Sequence, residues 1–331
     1  MQIRPIVLAT IAITATIASM YLLLGSSPNT KRYGRNFMAH KAKFNKHHVS
    51  KEDLTFRLSV YASNMEMINK HNASDSSFKM GEGPFTDMTF EEFKAKYLMT
   101  KEIPNELDLT TEPLQRGRND WKARGMVSEV KNQEACGSCW AFSTTGSLES
   151  AYLIQGKEFK TLSEQELVDC SRDYGNYGCN GGIMSAAFDY IIDNWIATEK
   201  DYPYTARDGT CHPNQQKERF EARSYKTLRN ANVNGLMDML DKQPVSVAIE
   251  VQQDFMHYSS GVYQSLNKRC GSRLNHGVLA AGYDMTASKP YFLVKNSWGE
   301  LWGEEGFIKM AIGKGSGTCG IANPAAVAPS I

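Results

Sequence analysis

Cys139 stands in the run Gln133-Glu134-Ala135-Cys136-Gly137-Ser138-Cys139-Trp140-Ala141-Phe142-Ser143, with the side-chain amide of Gln133 upstream. Ala141, Thr145, Leu148 and Tyr152 recur behind it at helical spacing, so the pattern predicts a helix whose first turn holds Cys139. Free N–H groups and the helix dipole favour thiolate over thiol there, which makes Cys139 a candidate nucleophile. The simpler reading is a buried, inert cysteine beside a buried tryptophan. A nucleophile also needs a base. Of the seven histidines, His40, His47, His48 and His71 lie early in the chain, His212 follows Cys211 in a polar loop, and His257 stands in a run that suits ordinary packing. His276, in Leu274-Asn275-His276-Gly277-Val278, is predicted at the start of a strand, on a rigid element from the other half of the chain. Asn296, in Lys295-Asn296-Ser297-Trp298-Gly299, ends a second predicted strand and can orient an imidazole by hydrogen bond.

The seven cysteines, at 136, 139, 170, 179, 211, 270 and 319, allow three disulfides and leave one thiol. A zinc site would need a second close pair or a closely spaced histidine pair, and neither occurs; a redox Cys-x-x-Cys would leave five cysteines unexplained. No metal and no cofactor is expected. Disulfides require an oxidising compartment. Arg4, the apolar run from Ile6 to Leu24 and Gly25-Ser26-Ser27-Pro28 read as a secretory signal over residues 1–25, long enough to serve instead as an uncleaved anchor. Lys31, Arg32 and Arg35 argue against carrying the downstream side across, so cleavage and anchoring both stay open. With 331 residues and a formal net charge of +1, the chain has room for more than one domain and lacks the basicity expected of a nucleic-acid binder.

Organisation follows from composition and period. The polar stretch from Pro104 to Arg118 lacks apolar periodicity and is predicted to be a cleavable linker. Before it, Asp53, Arg57, Tyr61, Asn64, Ile68 and Asn72 share one helix face, either as a motif or as a solvated face with chance spacing. Gly81 to Phe93 reads as a strand or turn running into a helix capped by Thr89. After Cys139 come a helix capped by Ser163 and a helical pattern from Ser185 to Trp195. From Pro244 the period changes to two, with strands at Val245 to Val251, Gly277 to Tyr283 and Tyr291 to Val294. A helical half followed by a sheet half predicts two packed subdomains with a cleft between them.

These residues resemble the papain family of cysteine proteases, in particular its cathepsin L-like branch, over nearly the whole chain. Asp120-Trp121, Gln133, Cys136-Gly137-Ser138-Cys139-Trp140, Gly178-Cys179-Asn180-Gly181-Gly182, His276 and Asn296-Ser297-Trp298-Gly299 fall in the expected order. The Asp53 to Asn72 stripe is similar to the family's propeptide helix motif, with Asp53 for the usual Glu and Tyr61 for Phe. Gly81 to Asp87 is similar to its second propeptide motif, with Gly83 for Asn. The resemblance implies an α+β, papain-like two-subdomain fold: a helical left domain and a β-barrel-like right domain, preceded by a helical propeptide at 26–114, with the peptidase domain at 115–331.

It also implies roles. Cys139 would be the nucleophile, His276 the general acid/base, Asn296 its orienting partner and Trp298 the ring shielding that bond. Gln133 and the Cys139 N–H would form the oxyanion hole. Disulfides would join Cys136 to Cys179, Cys170 to Cys211 and Cys270 to Cys319. Substrate would lie along Gly181, Gly182 and Asn275, its second residue before the scissile bond in a pocket of Ile183, Met184, Ala248, Leu274 and Pro324. That uncharged pocket implies a preference for hydrophobic residues. The expected activity is that of an endopeptidase made as a zymogen, a thiol hydrolase for peptides and proteins. An exopeptidase or a non-catalytic member is the alternative. The propeptide would be the intramolecular inhibitor, cystatin-type inhibitors are possible partners, and a monomer in the lysosome or an acidic vacuole, or a secreted one, is expected. Asn72-Ala73-Ser74 is the sole N-glycosylation sequon.

Overall fold

The computed structural model describes residues 28–158, 160–212, 218–229, 232–267 and 270–331. The apolar run from Ile6 to Leu24, expected to be a signal or an anchor, lies outside the described residues. Two compact units emerge, one ending at Asp75 and including Pro84–Thr89, the other comprising Ser76–Gly83 and Phe90–Ile331.

The first unit packs helix α1 (Pro28–Lys43) on helix α2 (Lys51–Asn72). Ser50 caps α2 by accepting the Asp53 N–H. Phe37, Leu58 and Tyr61 form its apolar centre. The polar stripe is therefore no solvated face: Tyr61, Asn64 and Ile68 are buried. The Asn64 amide donates to the carbonyls of Thr86 and Met88, both at 2.9 Å, so it fixes the returning segment. Arg57 pairs with Asp53 and donates to the backbone carbonyl of Asp87 at 3.2 Å. The buried Asp87 carboxylate lies 3.2 Å from Lys46 Nζ and 3.6 Å from His40 Nε2. Burial pushes its pKa up, but these partners outweigh burial and hold it below the usual carboxylate value.

In the second unit, strand β1 (Phe78–Met80) and helix α3 (Phe90–Tyr97) come first. Strands β2 (Ile103–Pro104) and β3 (Arg118–Asp120) bracket the predicted linker. Helices α4 (Cys139–Ile154), α5 (Glu164–Cys170) and α6 (Met184–Asn194) form the helical half. Ser163 caps α5 through the Glu166 N–H, as expected. Short strands β4 (Ile196–Ala197) and β5 (Arg219–Phe220) pair with each other. There follow β6 (Ser224–Thr227), helix α7 (Val233–Leu240), β7 (Val245–Ile249), the single-turn helix α8 (Gln253–Met256), β8 (Tyr258–Tyr263), β9 (Arg273–Leu274), β10 (His276–Asp284), β11 (Tyr291–Lys295), β12 (Phe307–Ala311) and β13 (Val327–Ser330).

Among the described residues one sheet runs in the order β1-β8-β12-β11-β10-β7-β13-β6, with β3 on the side of β10. The arrangement is the expected α+β one. Helix α4 packs on β10, β7 and β13. Strand β7 does not alternate as its period-two pattern suggested; all five of its residues are buried, because α4 covers one face and the rest of the sheet half the other. The predicted linker is tied down rather than loose. The Asp108 carboxylate accepts the N–H groups of Thr110 and Thr111, Gly315 N–H donates to the Thr111 carbonyl, and Arg116 bridges Asp238 at 2.6 Å and Asp241 at 3.0 Å.

Strand β1 pairs antiparallel with β8, and the Gly81 N–H donates to the carbonyl of His257 at the foot of β8. The His257 ring is 1 % exposed and neither nitrogen has a hydrogen-bond partner. Burial pushes its pKa down to about 4. The unfolded chain protonates near pH 6.5 and the folded chain only near 4, so this group's contribution is intact above pH 6.5 and is lost as pH falls toward 4. In the unprocessed chain carrying Cys139→Ala, His257→Phe is expected to raise stability by about 2 kcal/mol at pH 4.5 and to leave it nearly unchanged above pH 7, read from urea midpoints. A benefit of equal size at both pH values would contradict the buried neutral imidazole.

Candidate active site

Cys139 opens α4 as predicted, with Ser138 as its N-cap. The helix can lie this close to the sheet because β10 presents glycine at 277: a Cβ there would sit 2.9 Å from Trp140 Cα. The Cys139 Sγ accepts the Gly277 N–H at 3.2 Å. Helix dipole and N–H groups were expected to favour thiolate, but burial wins. The thiol is fully buried, and desolvation pushes its pKa up to about 12 against the pull of the Gly277, Trp140 and Cys139 N–H groups.

His276 is the first residue of β10, adjacent in sequence to the residue that touches Sγ. Its Nε2 lies 2.8 Å from Asn296 Oδ1, and its ring stacks on Trp298 with centroids 4.7 Å apart. Asn296 Oδ1 also accepts the Ser297 N–H at 2.8 Å, which assigns that atom as oxygen and so places the imidazole proton on Nε2. The lone pair is then on Nδ1, which is buried and has no hydrogen-bond partner. Burial pushes the imidazole down to about 4, and the Asn296 bond only partly offsets it. Thiol and imidazole are thus neighbours; burial works against the charged form of each, and no hydrogen bond joins them.

Gln133 is fully buried and held at every polar atom. Its N–H donates to Ser297 O, and its Oε1 accepts Ser297 Oγ at 2.7 Å and Trp298 Nε1 at 3.2 Å. Its Nε2 donates to Cys136 O at 2.8 Å and to Tyr97 O at 2.9 Å. Tyr97 ends α3, whose Phe93 stands edge-on to Trp298 at 5.0 Å. Beyond it the chain runs through the groove. Met99 N–H donates to Asn275 O at 2.8 Å, and the Thr100 and Lys101 N–H groups donate to Asn180 O. The apolar cluster around Met99 includes Met184, Ala248 and Leu274, three of the predicted pocket residues. Of the other two, Ile183 is 38 % exposed, while Pro324 lines the next stretch of groove with Leu274, Ile103 and Pro104. Gly181, at φ +123°, leaves room for Met99, whose Cβ would lie 3.0 Å from an added methyl. At Gly182 a side chain would strike the Trp140 ring at 2.6 Å, so packing alone demands that glycine.

The cysteines pair as the resemblance implied, Cys136 with Cys179, Cys170 with Cys211 and Cys270 with Cys319, leaving Cys139 as the free thiol. Among the described residues no cluster of His, Cys, Asp or Glu could hold a metal ion. Sequence reasoning missed the Tyr97 carbonyl and the tie of Tyr204 to Gln133 and Ser138 described below. No local signal marks either, because both contacts join residues far apart in the chain.

The papain family cysteine protease pattern matches residues 117–329, and the cathepsin propeptide inhibitor domain pattern matches 37–93. A cathepsin L-like proteinase of Fasciola hepatica is 40% identical over 302 residues, covering 87% of this chain and 90% of that one. Pro-cathepsin H of Bos taurus is 42% identical over 286 residues, covering 82% and 83%. The structure of digestive procathepsin L2 proteinase from the Tenebrio molitor larval midgut superposes with a TM-score of 0.79 at 36% identity, covering 91% of this chain and 100% of that one. The chain belongs to the papain family of cysteine proteases. It carries the cathepsin-type inhibitory propeptide ahead of the peptidase domain, so the structure described is that of a zymogen.

With Cys139 buried and neutral, iodoacetamide at neutral pH is expected to label the intact chain at least about a hundredfold more slowly than the processed enzyme. Peptide mapping of the label by mass spectrometry checks this. Equal rates at Cys139 would show that the covering segment does not protect the thiol.

Proposed function

We propose that the processed protein is an endopeptidase that prefers hydrophobic residues at the second position before the scissile bond. The supporting observation is the occupant of the groove: Met99 donates its N–H to Asn275 O, its side chain lies against Gly181, and it belongs to the same apolar cluster as Met184, Ala248 and Leu274. A substrate residue held there would bury an apolar side chain, a gain of about 1.5–3 kcal/mol, whereas an unpaired Arg would be desolvated without compensation.

Once the covering segment leaves, water reaches Sγ, which already accepts the Gly277 N–H, and the thiol can pass its proton to His276 Nδ1. The thiolate attacks the scissile carbonyl to form a C–S bond. The oxyanion is held by Gln133 Nε2 and the Cys139 N–H, and the imidazolium protonates the leaving nitrogen as the C–N bond breaks. Water, deprotonated by the same imidazole, then splits the thioester. Asn296 keeps the ring in the Nε2–H form and Trp298 covers that bond.

An exopeptidase needs a group blocking one end of the groove. Such relatives can tether a blocking minichain through a cysteine, and none precedes Cys136. Residues 26–114 are assigned as propeptide and 115–331 as peptidase, with final trimming beside Leu114. That leucine is 58 % exposed, and Arg116 just beyond is clamped by Asp238 and Asp241. With Leu114 in the hydrophobic subsite, the proposed final cut falls between Gln115 and Arg116, one residue past the 114/115 boundary. Asn72, the last residue of α2, is the candidate glycan acceptor and would leave with the propeptide. Three disulfides support maturation in the secretory route, with a lysosome, a vacuole or the outside of the cell as its destination.

The purified mature enzyme is expected to cleave peptides blocked at both ends, with Leu or Phe at the second position favoured over Arg by at least about tenfold in kcat/KM. Cys139→Ala should abolish turnover, and N-terminal sequencing should find Arg116 first. Cleavage confined to free-ended peptides would replace this reading with an exopeptidase.

A further inference from the structure

We propose that Tyr204 is a positioning residue of the oxyanion hole, one that sets the spacing between its two donors through a single phenolic oxygen. The inference rests on the assignment of Gln133 Nε2 and the Cys139 N–H as those donors. They belong to different pieces of chain: Gln133 precedes the Cys136 disulfide, and Cys139 begins α4. Tyr204 Oη lies 2.7 Å from the Gln133 carbonyl and 2.6 Å from Ser138 Oγ, so it touches the backbone of one donor residue and the neighbour of the other.

The proton count fixes the direction of both bonds. The Gln133 carbonyl can only accept, so the single phenolic proton is spent on it. Ser138 Oγ must therefore donate to Tyr204 Oη. This agrees with Ser138 making no side-chain capping bond to α4, although it occupies the N-cap position. Its hydroxyl is turned away from its own helix toward Tyr204, an arrangement a mere helix cap would not need.

Tyr204 is itself held. Its N–H donates to Glu199 Oε1 at 2.8 Å, and its ring meets Phe142, one turn into α4, edge-on with centroids 5.0 Å apart. Every other polar atom of Gln133 is also engaged, by Ser297, Trp298, Cys136 and Tyr97. Of these partners only Tyr97 lies in the propeptide region. After processing, the Gln133 carbonyl still has Tyr204 as its partner, and that bond and the Ser138 bond join the irregular segment carrying one donor to the helix carrying the other.

The test is Tyr204→Phe, which keeps the ring and its contact with Phe142 and removes only the oxygen. With active sites titrated by a thiol-directed inhibitor, kcat on a doubly blocked peptide amide should fall on the order of tenfold, less than the 10²–10³ of deleting a donor, with KM within about twofold. On a Gln133→Ala background the same change should cost no more than about twofold, because there is no longer a donor to position. Ser138→Ala, which leaves the Tyr204 bond to Gln133, should lower kcat about threefold at unchanged KM, and it carries the test if Tyr204→Phe does not fold. A kcat for Tyr204→Phe within twofold of wild type, or a full tenfold loss persisting without Gln133, would overturn the positioning role. Gln133→Ala at wild-type kcat would remove the oxyanion reading itself, and the tyrosine's role with it. A large loss in Gln133→Ala beside none in Tyr204→Phe would remove the tyrosine's role alone.

Discussion

The close approach of the first turn of α4 to β10 is the constraint on which the site depends. Gly277 permits it, since any side chain would strike Trp140 backbone. Small residues along α4 extend it: Ser143 donates to Val278 O at 2.7 Å, Ser147 to Pro244 O at 3.0 Å, and Gly146 faces Leu279. Serine hydroxyls keep the contact tight while bonding one carbonyl on β10 and one just before β7. Once α4 is seated, the rest follows from register. His276 precedes Gly277 on β10, and Leu279 pairs with Lys295 on β11, so Asn296 emerges beside the imidazole. Strand pairing, rather than any flexible loop, sets the histidine and its partner.

A second restraint lies under the same helix. Lys131 Nζ meets Glu149 Oε1 at 2.9 Å and Glu164 Oε1 at 2.5 Å and donates to Leu162 O, while Lys295 reaches Ser128, which donates to Glu149. Burying such charges is costly, and Thr145 and the Leu162 N–H supply further donors, while Glu164 Oε2 is buried without a hydrogen-bond partner. Glu149 is held below the usual carboxylate range because Lys131 and Lys295 outweigh its burial, whereas burial pushes Glu164 up and Lys295 down, the latter to about 8. The cluster joins the 128–133 segment to α4 and α5. Gln133 thus inherits its place from charges two residues away as well as from Tyr204.

What could be read from the chain divides along a physical line. The start of α4 at Cys139, the cap at Ser163 and the strand opening at His276 were legible because each depends on local chemistry. The helical stripe Ala141, Thr145, Leu148 and Tyr152 marked α4 but understated its burial; every residue from Cys139 to Ala151 is buried, polar ones included. Likewise the Asp53 to Asn72 face could be either motif or solvated surface until Asn64 was seen to hold Thr86 and Met88. Contacts across long stretches of chain, such as Tyr97 to Gln133 and Tyr204 to Ser138, have no sequence signature. The desolvation of Cys139 was hidden for a related reason: a helix N-terminus is visible in sequence, whereas the burial that opposes it comes from groups brought in by the fold.

That competition between dipole and desolvation bears on how a protease carries a peptide in its own groove without cutting it. The Tyr97 carbonyl is bonded to the amide proposed to stabilise an oxyanion, and Met99 lies in the pocket proposed to select substrate. A segment so placed would be exposed to a ready thiolate. Cys139 and His276 are as inaccessible to solvent as Leu98 and Met99, and burial works against the charged form of both. Creating a thiolate and an imidazolium there would put two charges into a dry site, and they gain their mutual attraction only if Sγ leaves Gly277 N–H for Nδ1. A segment that loosened enough to admit water would lower that cost, since the same two charges are far cheaper in a wet site than in a dry one.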